Sequence, residues 1–398
     1  MNAIPTQFNA GRQPIRIGIA GFGAAAQAFI PAIQAHPGFE LVAAAEPAQA
    51  VRDSIGRELG IRTYASVPEI LAQVQLDAIY VATPTELHSE HVLQAMAAKK
   101  HVLVEKPMAA TLEDARAMVE AADKAGIVFL VGHSHSYDLP IQRMQEIIAG
   151  GTLGRVRMVN TWCYTDWVYR PRRPDELVTG LGGGVTYRQG SHQFDIIRLL
   201  CGGVARSVRA RTFDWDPERR AIGAHMVFLD FEDGAAATAV YNGYGGFSSM
   251  DMCFNLTEWG ARQSPESRRP ARRPSVALSA EDELQAKRDR AKHAIPGNAA
   301  GQPFFGMTLV SCERGDMRQS EQGLYVYSDE GQVEIKLPTD RSPRDLVMSE
   351  FYDAIVGKTP ALHDGRWGLA NLEVCDAAIA SSSSGRDVLL KHQVPLRT

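Results

Sequence analysis

A lysine between a carboxylate and a proline is the residue of this chain best suited to acid–base chemistry. Glu105-Lys106-Pro107 directly follows the apolar run His101–Val104, which predicts a buried strand. An ammonium group can hold an alcohol or carbonyl oxygen, and it can exchange a proton with that oxygen when its surroundings lower its pKa. Glu105 could position the lysine, and the bond to Pro107 could be cis. Taken alone, such a lysine is more often a surface charge, so its role depends on the surrounding elements.

A second group of polar residues follows a run of three glycines. Arg188, His192 and Asp195 come after Gly182–Gly184 and are spaced four and three residues apart. This spacing predicts that the three side chains share one helix face. A histidine there could accept a proton from a hydroxyl near neutral pH. The alternative is a solvated polar face without a chemical role.

A glycine-rich turn near the start of the chain indicates the scaffold that would hold the lysine. The turn ends the apolar run Ile15–Ala20 and opens a predicted helix. Gly21 permits a tight turn, Gly23 lets a pyrophosphate approach backbone N–H groups, and the helix N-terminus supplies partial positive charge. The pattern predicts a dinucleotide site. The candidate cofactor-binding residues are Gly18, Gly21, Phe22, Gly23, Ala24, Glu46, Thr83, Pro84, Thr85, His88, Glu105 and Lys106.

Glu46 determines which dinucleotide is expected. It ends the second predicted strand, about 20 residues beyond the turn, where a carboxylate accepts hydrogen bonds from the ribose hydroxyls. The same carboxylate repels a 2′-phosphate, so NAD is expected rather than NADP, although nearby Arg52 could soften that choice. The alternative is that Glu46 only caps the following helix.

A threonine-proline loop follows the strand predicted at Ala78–Ala82. Thr83-Pro84-Thr85 leads to His88 and would lie at the carboxyl edge of the sheet, where dinucleotides bind. An ordinary strand-to-helix turn with Thr85 as N-cap is also possible, and both roles can hold at once.

The order of apolar runs and amphipathic segments predicts two domains. Up to residue 135, strands and helices alternate, which predicts an α/β Rossmann domain with a doubly wound parallel sheet. From residue 136 to 398, longer strand-like runs separated by turn signals predict an α+β domain with a large, mostly antiparallel open sheet. Strands are predicted at Val156–Trp162, His225–Phe231, Ala235–Tyr241, Gly323–Ser328 and Gln332–Leu337, and helices at Asp138–Ala149, Pro343–Val356 and Gly368–Ser381.

Composition excludes several classes of partner and compartment. The chain has 398 residues and a net charge of −4, which favours neither nucleic acid nor an anionic membrane. Its five cysteines are scattered without metal-binding spacing, so no metal is expected. Met1–Gln13 lacks an apolar signal core, and no apolar stretch is long enough for a bilayer. We therefore expect a cytoplasmic protein.

Residues 263–302 differ from their surroundings. A basic run at 268–274 precedes a charged stretch, Ala280–Ala291, that is predicted to be helical. A nucleic-acid patch is one interpretation, but a solvated excursion fits the acidic chain better. We expect a mobile insertion in the second domain.

With these motifs in place, the chain resembles the Gfo/Idh/MocA family of NAD(P)-dependent dehydrogenases. The resemblance rests on the glycine turn, the Ala-Thr-Pro loop, Glu105-Lys106-Pro107 and the glycine-rich turn before His192. It implies a Rossmann domain followed by an open-sheet domain. It also implies that Lys106 is the acid/base, that His192 contacts the reacting hydroxyl, and that copies pair through their open sheets as a homodimer or homotetramer.

Two departures from the family pattern suggest an anionic substrate. Arg188 occupies a position where relatives acting on sugars and cyclitols usually carry aspartate. His133 and His135 lie where many relatives carry a basic pair. An arginine in such a pocket favours a substrate with its own carboxylate.

A loop rich in arginine and aromatic residues supports the same conclusion. Its arginines could grip carboxylates while its aromatic rings stack on a flat ring, although a basic surface loop is the alternative. The candidate substrate-binding residues are Arg188, Trp167, Tyr169, Arg170, Arg172, Arg173, His133 and His135.

The stretches 165–172 and 320–327 are similar to phthalate 4,5-cis-dihydrodiol dehydrogenases, a narrower group. This similarity implies NAD-dependent oxidation of a carboxylated cis-dihydrodiol to the catechol 4,5-dihydroxyphthalate. The alternatives are a dehydrogenase of a sugar, cyclitol or sugar acid, a redox-neutral use of the cofactor, and a non-catalytic NAD-binding sensor.

Overall fold

The computed structural model describes residues 13–267, 279–294 and 299–397. It divides into two compact units, one running to Gly132 and including Arg344–Gly368, and the other comprising His133–Pro343 and the chain from Leu369 onward. The sequence-based division at residue 135 did not assign 344–368 to the first unit. This segment belongs there because Phe351 stacks on Phe39 with ring centroids 5.9 Å apart. The linear pattern of residues 344–368 does not reveal that contact.

The first unit is built on a six-stranded parallel sheet, as predicted. Its strands are β1 Ile15–Ala20, β2 Phe39–Ala45, β3 Arg62–Tyr64, β4 Ala78–Val81, β5 His101–Val104 and β6 Phe129–Val131. The order across the sheet is β3-β2-β1-β4-β5-β6, and every neighbouring pair is parallel. The order reverses beside β1, so the loops after β1 and β4 lie at the switch point where such sheets bind ligands.

Helices connect successive strands of this sheet. They are α1 Ala24–Ala35, α2 Gln49–Leu59, α3 Val67–Gln73, α4 His88–Ala97 and α5 Leu112–Ala125. α5 shows why they form: the Thr111 side chain accepts a hydrogen bond from Asp114 N–H at its start, and Gly126 ends it in a left-handed conformation. β3 and α3 were missed because each is short and weakly apolar.

The second unit is built on a nine-stranded sheet. Its elements are α6 Leu139–Ala149, β7 Val156–Tyr164, α7 Ser191–Leu200, β8 Ala205–Phe213, β9 Ala224–Phe231, β10 Ala236–Asn242, α8 Ala280–Ala294, β11 Met307–Cys312, β12 Gly315–Gln319, β13 Gly323–Ser328 and β14 Gly331–Lys336. After α9 Pro343–Ile355 and α10 Gly365–Ser384, β15 Val388–Leu389 completes the sheet.

The strand order is β14-β13-β12-β11-β7-β10-β9-β8-β15. Every neighbouring pair is antiparallel except β7 and β10, which confirms a large, mostly antiparallel sheet. The two predicted hairpins are present as β9–β10 and β13–β14. β8 was missed because Arg206, Arg209 and Arg211 interrupt its apolar residues.

Part of the predicted insertion is helical, since α8 begins at Ala280 as expected. The basic run at 268–274 lies outside the described residues. None of the helices in the described part of the chain is both long and apolar enough to cross a bilayer. Within the same residues, no three His, Cys, Asp or Glu side chains are grouped so as to hold a metal ion.

Candidate functional site

The glycine turn has the geometry that an approaching pyrophosphate needs. Gly21 has φ +82°, and a Cβ there would lie 2.9 Å from the carbonyl oxygen of Ala82. Gly23 is the N-cap of α1, no side chain caps it, and an added Cβ would meet no atom within 4 Å. The first N–H groups of α1, which begins at Ala24, are therefore open to an anion.

Gly18 has a packing role, because a Cβ there would lie 2.9 Å from a methyl group of Leu76. It lies inside β1 and not at the turn. The neighbouring Phe22 is buried and contributes its backbone N–H to the site.

Glu46 joins the glycine turn to the start of α2. Its carboxylate accepts hydrogen bonds from Phe22 N–H at 3.1 Å and from Ala48 N–H at 3.2 Å. Glu46 thus holds the glycine turn and also bonds the backbone of Ala48, the N-cap residue of α2, whose first turn has no side-chain cap. Arg52 donates to the carbonyl oxygens of Glu46 at 2.6 Å and Pro47 at 2.7 Å.

The threonine-proline loop is held by histidine side chains. The Thr83 hydroxyl lies 3.1 Å from Nδ1 of His91. Nε2 of the buried His88 lies 2.9 Å from the Thr83 carbonyl oxygen, and its Nδ1 lies 3.0 Å from the Pro107 carbonyl oxygen. His88 thereby connects the loops after β4 and β5, which is a positioning role and not an exposed ligand contact. Thr85 is also buried and begins a short 3₁₀ turn after Pro84.

Glu105 is fixed from inside the sheet. The buried Tyr80 hydroxyl of β4 donates to its carboxylate at 2.6 Å. Burial raises the pKa of Tyr80 well above its usual value, and the Glu105 charge raises it further, so the phenol keeps its proton. Lys106 is half-buried at the carboxyl end of β5, and the bond to Pro107 is cis.

In the second unit, His192 belongs to a buried aromatic cluster. Its ring meets the His135 ring edge-on, with centroids 4.7 Å apart, and the Phe305 ring at 4.9 Å. His135 also lies 4.8 Å from the Trp259 ring, and its Nδ1 is 3.1 Å from the Asp138 carboxylate. His133 is buried two residues earlier.

Arg188 does not lie on the same α-helix as His192 and Asp195. It lies in a π-helical turn, Thr186–Gly190, that precedes α7, so α-helical spacing does not extend to it. Its guanidinium is 3.5 Å from Asp175, which also pairs with Arg173 at 2.7 Å. Arg188 and Arg173 therefore contribute to a network of protein charges.

The aromatic side chains of the arginine-rich loop are engaged by the protein itself. Trp167 is fully buried, and the guanidinium of Arg172 lies over its ring at 4.2 Å. Burial lowers the pKa of Arg172 to about 10. Tyr169 donates to Asp216 at 3.0 Å. These contacts do not support stacking of Trp167 or Tyr169 on a ligand.

Arg170 differs from the other arginines of the loop because it lines a cavity of about 700 Å³ within the second unit. Its Nε donates to Asp166 at 2.5 Å. That ion pair raises the pKa of Arg170 despite its burial, so the guanidinium stays charged. Of the predicted substrate-binding arginines, Arg170 is the one whose position fits a ligand contact.

Several residues of this region were not predicted. Glu258, Trp259 and Arg290 line the cavity, and Phe305 packs on His192. No local motif marks these positions. An indirect signal was available, because the segment 257–263 places Glu258 and Trp259 beside a turn glycine in an otherwise polar stretch.

Comparisons with known proteins now identify the scaffold. Residues 15–133 match the model of an oxidoreductase family with an NAD-binding Rossmann fold, and residues 141–249 match a GFO/IDH/MocA C-terminal domain. The chain belongs to the Gfo/Idh/MocA oxidoreductase family. It is therefore an enzyme of the NAD-dependent dehydrogenase type, and the sensor hypothesis is not supported.

Individual relatives of this Gfo/Idh/MocA protein narrow the reaction type. A 1-carboxy-3-chloro-3,4-dihydroxycyclohexa-1,5-diene dehydrogenase of Comamonas testosteroni is 34% identical over 92% of this chain and 94% of its own. A putative dehydrogenase from Bordetella bronchiseptica RB50 superposes with a TM-score of 0.86 at 39% identity, covering 95% of this chain and 100% of that one. An NAD-dependent scyllo-inositol 2-dehydrogenase of Bacillus subtilis is 26% identical over 50% of this chain and 58% of its own.

The Comamonas relative supports a dihydrodiol-type oxidation by a Gfo/Idh/MocA enzyme. The name of the Comamonas relative describes a chlorinated dihydroxycyclohexadiene with a single carboxyl group. The narrower similarity to dihydrodiol dehydrogenases is thus supported at the level of the reaction type.

Proposed function

We propose that the protein oxidises a carboxylated cis-dihydrodiol to a catechol with NAD as the oxidant, and that phthalate 4,5-cis-dihydrodiol is its substrate. The observation that carries this proposal is Arg170, a charged guanidinium on the wall of an aromatic-lined cavity. Guanidinium groups bind carboxylates through paired N–H donors, and aromatic side chains favour a flat ring. The carboxylated diene diol in the name of the Comamonas relative supports the same substrate class.

The first unit has the features needed to hold NAD. The N–H groups after Gly23 would bind the pyrophosphate, Glu46 would accept hydrogen bonds from the adenosine ribose, and Thr83 lies beside Gly21 at the same edge of the sheet. When bound, NAD supplies the acceptor for a hydride. The carboxylate of Glu46 favours NAD over NADP because it repels a 2′-phosphate.

The proposed reaction removes a hydride and a proton from one carbinol centre. A base of the protein must take the hydroxyl proton, and we assign this role to Lys106, with His192 contacting the reacting hydroxyl. The resulting hydroxyketone loses the C–H proton of the second carbinol carbon and gains a proton on its carbonyl oxygen, which yields the catechol. Near-attack geometry requires the ring to be fixed, which is the role proposed for Arg170.

A cyclitol or sugar acid is the second candidate substrate. Asp166 and Glu258 also line the cavity, and carboxylates are good acceptors for the hydroxyls of such compounds. The inositol-oxidising relative supports this alternative. The aromatic walls favour the flat diene ring.

We also propose that copies of the chain pair through the open face of the nine-stranded sheet. Trp162, Val240 and Met226 lie side by side on β7, β10 and β9, and the exposed Phe228 lies two residues along β9 on the same face. An apolar patch of this kind favours association. Light scattering should give a dimer or tetramer, and Trp162→Glu should shift it toward the monomer; a wild-type monomer would contradict the pairing.

The substrate assignment is tested by turnover and product analysis. The enzyme is incubated with NAD and one compound at a time. The compounds are phthalate 4,5-cis-dihydrodiol, a monocarboxylated cis-dihydrodiol, scyllo-inositol and a uronate. We expect NADH and 4,5-dihydroxyphthalate in equal amounts from the first. Oxidation of scyllo-inositol or the uronate alone would replace the proposal with the alternative.

A further inference from the structure

The cavity beside Arg170 has the size and walls of a small-molecule site. Its volume of about 700 Å³ lies within the range of ligand pockets, roughly 300–1,000 Å³. Tyr164, Phe247, Trp259 and Phe304 supply aromatic surface to it. Trp259 also contacts His135, and His135 contacts His192, so the cavity adjoins the histidine cluster of the same unit.

Both signs of charge line this cavity. Arg170 and Arg290 supply guanidinium groups, and Asp166 and Glu258 supply carboxylates. Burial alone would raise the pKa of Glu258, but the charges of Arg170 and of its neighbours, Arg290 among them, together outweigh burial and lower the pKa, so Glu258 is ionised. Arg262 also lines the cavity but is paired with Glu321 outside it.

Arg290 is the arginine of this wall with capacity for a further anion. Within the described residues it forms neither a hydrogen bond nor an ion pair, whereas Nε of Arg170 is engaged by Asp166. Displacement of water by neighbouring protein atoms and the like charge of Arg170 lower the pKa of Arg290. A ligand carboxylate between the two guanidinium groups would relieve their repulsion.

Two ion pairs fix helix α8 to the rest of the second unit, and the helix thereby holds Arg290 at the cavity. Glu283 binds Arg219 through both oxygens at 2.6 and 2.9 Å, and Lys287 lies 2.5 Å from Glu176. Residues 283, 287 and 290 follow helical spacing, so they lie on one side of α8. Helix α8, which lies in the segment expected to be a solvated excursion, therefore has defined contacts with other residues of the second unit.

We propose that this cavity binds a hydroxylated ring bearing a carboxylate, with Arg290 of α8 and Arg170 binding the carboxylate and Glu258 accepting a hydrogen bond from a ring hydroxyl. Arg290 is thus a specificity-determining residue contributed by the insertion. The inference deepens the proposed function and rests on it for the identity of the reaction, but ligand binding can be measured without turnover.

The test compares Arg290→Gln with Gln285→Ala, an exposed position on the same helix. Calorimetry measures binding of phthalate and of catechol, which lacks a carboxylate, to the full-length protein saturated with NADH. We expect Arg290→Gln to weaken phthalate binding by about tenfold or more while catechol binding changes little. Arg290→Lys should restore part of the loss, and Gln285→Ala should match the wild type.

Turnover separates this inference from the proposed function. With a carboxylated dihydrodiol, Arg290→Gln should raise KM and leave kcat within about twofold. Phthalate binding that depends on Arg290, in an enzyme that oxidises no dihydrodiol, would uphold the inference and refute the proposed function. Dihydrodiol oxidation with equal phthalate affinity in wild type and Arg290→Gln would refute the inference alone.

Discussion

His88 and Pro107 are joined by a contact that links two loops of the candidate cofactor site. Nδ1 of His88 lies 3.0 Å from the Pro107 carbonyl oxygen, and Nε2 lies 2.9 Å from the Thr83 carbonyl oxygen. Carbonyl oxygens only accept hydrogen bonds, so the ring nitrogen that carries the proton donates to the carbonyl oxygen it faces. The loop that contacts Gly21 and the turn that carries Lys106 are therefore fixed to each other through one buried ring.

Replacing His88 with glutamine should weaken this connection. We expect the free energy of unfolding to fall by about 1–3 kcal/mol, because a buried carbonyl oxygen loses its donor. NADH affinity, measured by fluorescence, should fall as well. Glu90→Gln is the control, since Glu90 is exposed on the same helix, α4. A His88→Gln protein with wild-type stability and NADH affinity would show that the contact has no positioning role.

Lys106→Met tests the acid–base assignment. Loss of a positioned proton acceptor should lower kcat by about a hundredfold or more, while the Kd for NADH stays within about threefold. Lys124→Met, at an exposed position near the end of α5, should retain wild-type kinetics. A kcat within about threefold of the wild type would correspond to only ~0.6 kcal/mol of barrier and would remove Lys106 from the chemistry.

Glu46→Gln tests the choice between NAD and NADP. The amide retains an acceptor for the Phe22 N–H but no longer repels a 2′-phosphate. We expect the ratio of kcat/KM for NAD to that for NADP to fall by about tenfold or more, equivalent to ~1.4 kcal/mol. Glu58→Gln, exposed on α2, should leave the ratio unchanged. An unaltered ratio in Glu46→Gln would assign Glu46 to helix capping.

Sequence motifs were sufficient to predict the candidate site residues of the first unit but not those of the second, and the structure shows why. The glycine turn, Glu46 and Lys106 follow β1, β2 and β5 of one parallel sheet, so short patterns along the chain also located them at the same edge of that sheet. The arginine-rich loop depends on distant partners. Arg219 and Glu283 are 64 residues apart in the chain, and Arg172 N–H and Glu283 are 111 apart. The local sequence around each residue therefore does not indicate these pairings.

The same reasoning explains why Trp167, which was predicted to stack on a ligand, is buried in the structure instead. An aromatic residue beside arginines is compatible with ligand stacking and equally with a core position covered by an arginine. The structure has the second arrangement, because Arg172 lies over the buried indole. Trp259 instead supplies aromatic surface to the cavity, and it also contacts His135.

His225 should make stability depend on pH. Burial lowers its folded-state pKa to about 3 from 6.5, and its ring contacts Gln193 at 3.0 Å and Thr186 at 3.3 Å. Between these pH values the unfolded chain binds a proton that the folded protein does not, so this contribution is full above pH ~6.5 and is lost toward pH ~3. In urea unfolding at a series of pH values, the free energy of unfolding of His225→Asn should change less steeply with pH below 6.5 than that of the wild type. The difference should be up to ~1.4 kcal/mol per pH unit. If the free energies of unfolding of the variant and the wild type changed equally with pH, His225 would not be the source of this pH dependence.

The measurement that tests the account most directly is the ratio of kcat/KM for a matched pair of cis-dihydrodiols, one with and one without ring carboxylates, at saturating NAD. A site with charged guanidinium groups in its wall should favour the carboxylated compound by about a hundredfold or more, because only that compound offers them a ligand carboxylate. Equal kcat/KM values for the two diols, or oxidation of scyllo-inositol in preference to both, would contradict the proposal that this enzyme recognises a carboxylated ring.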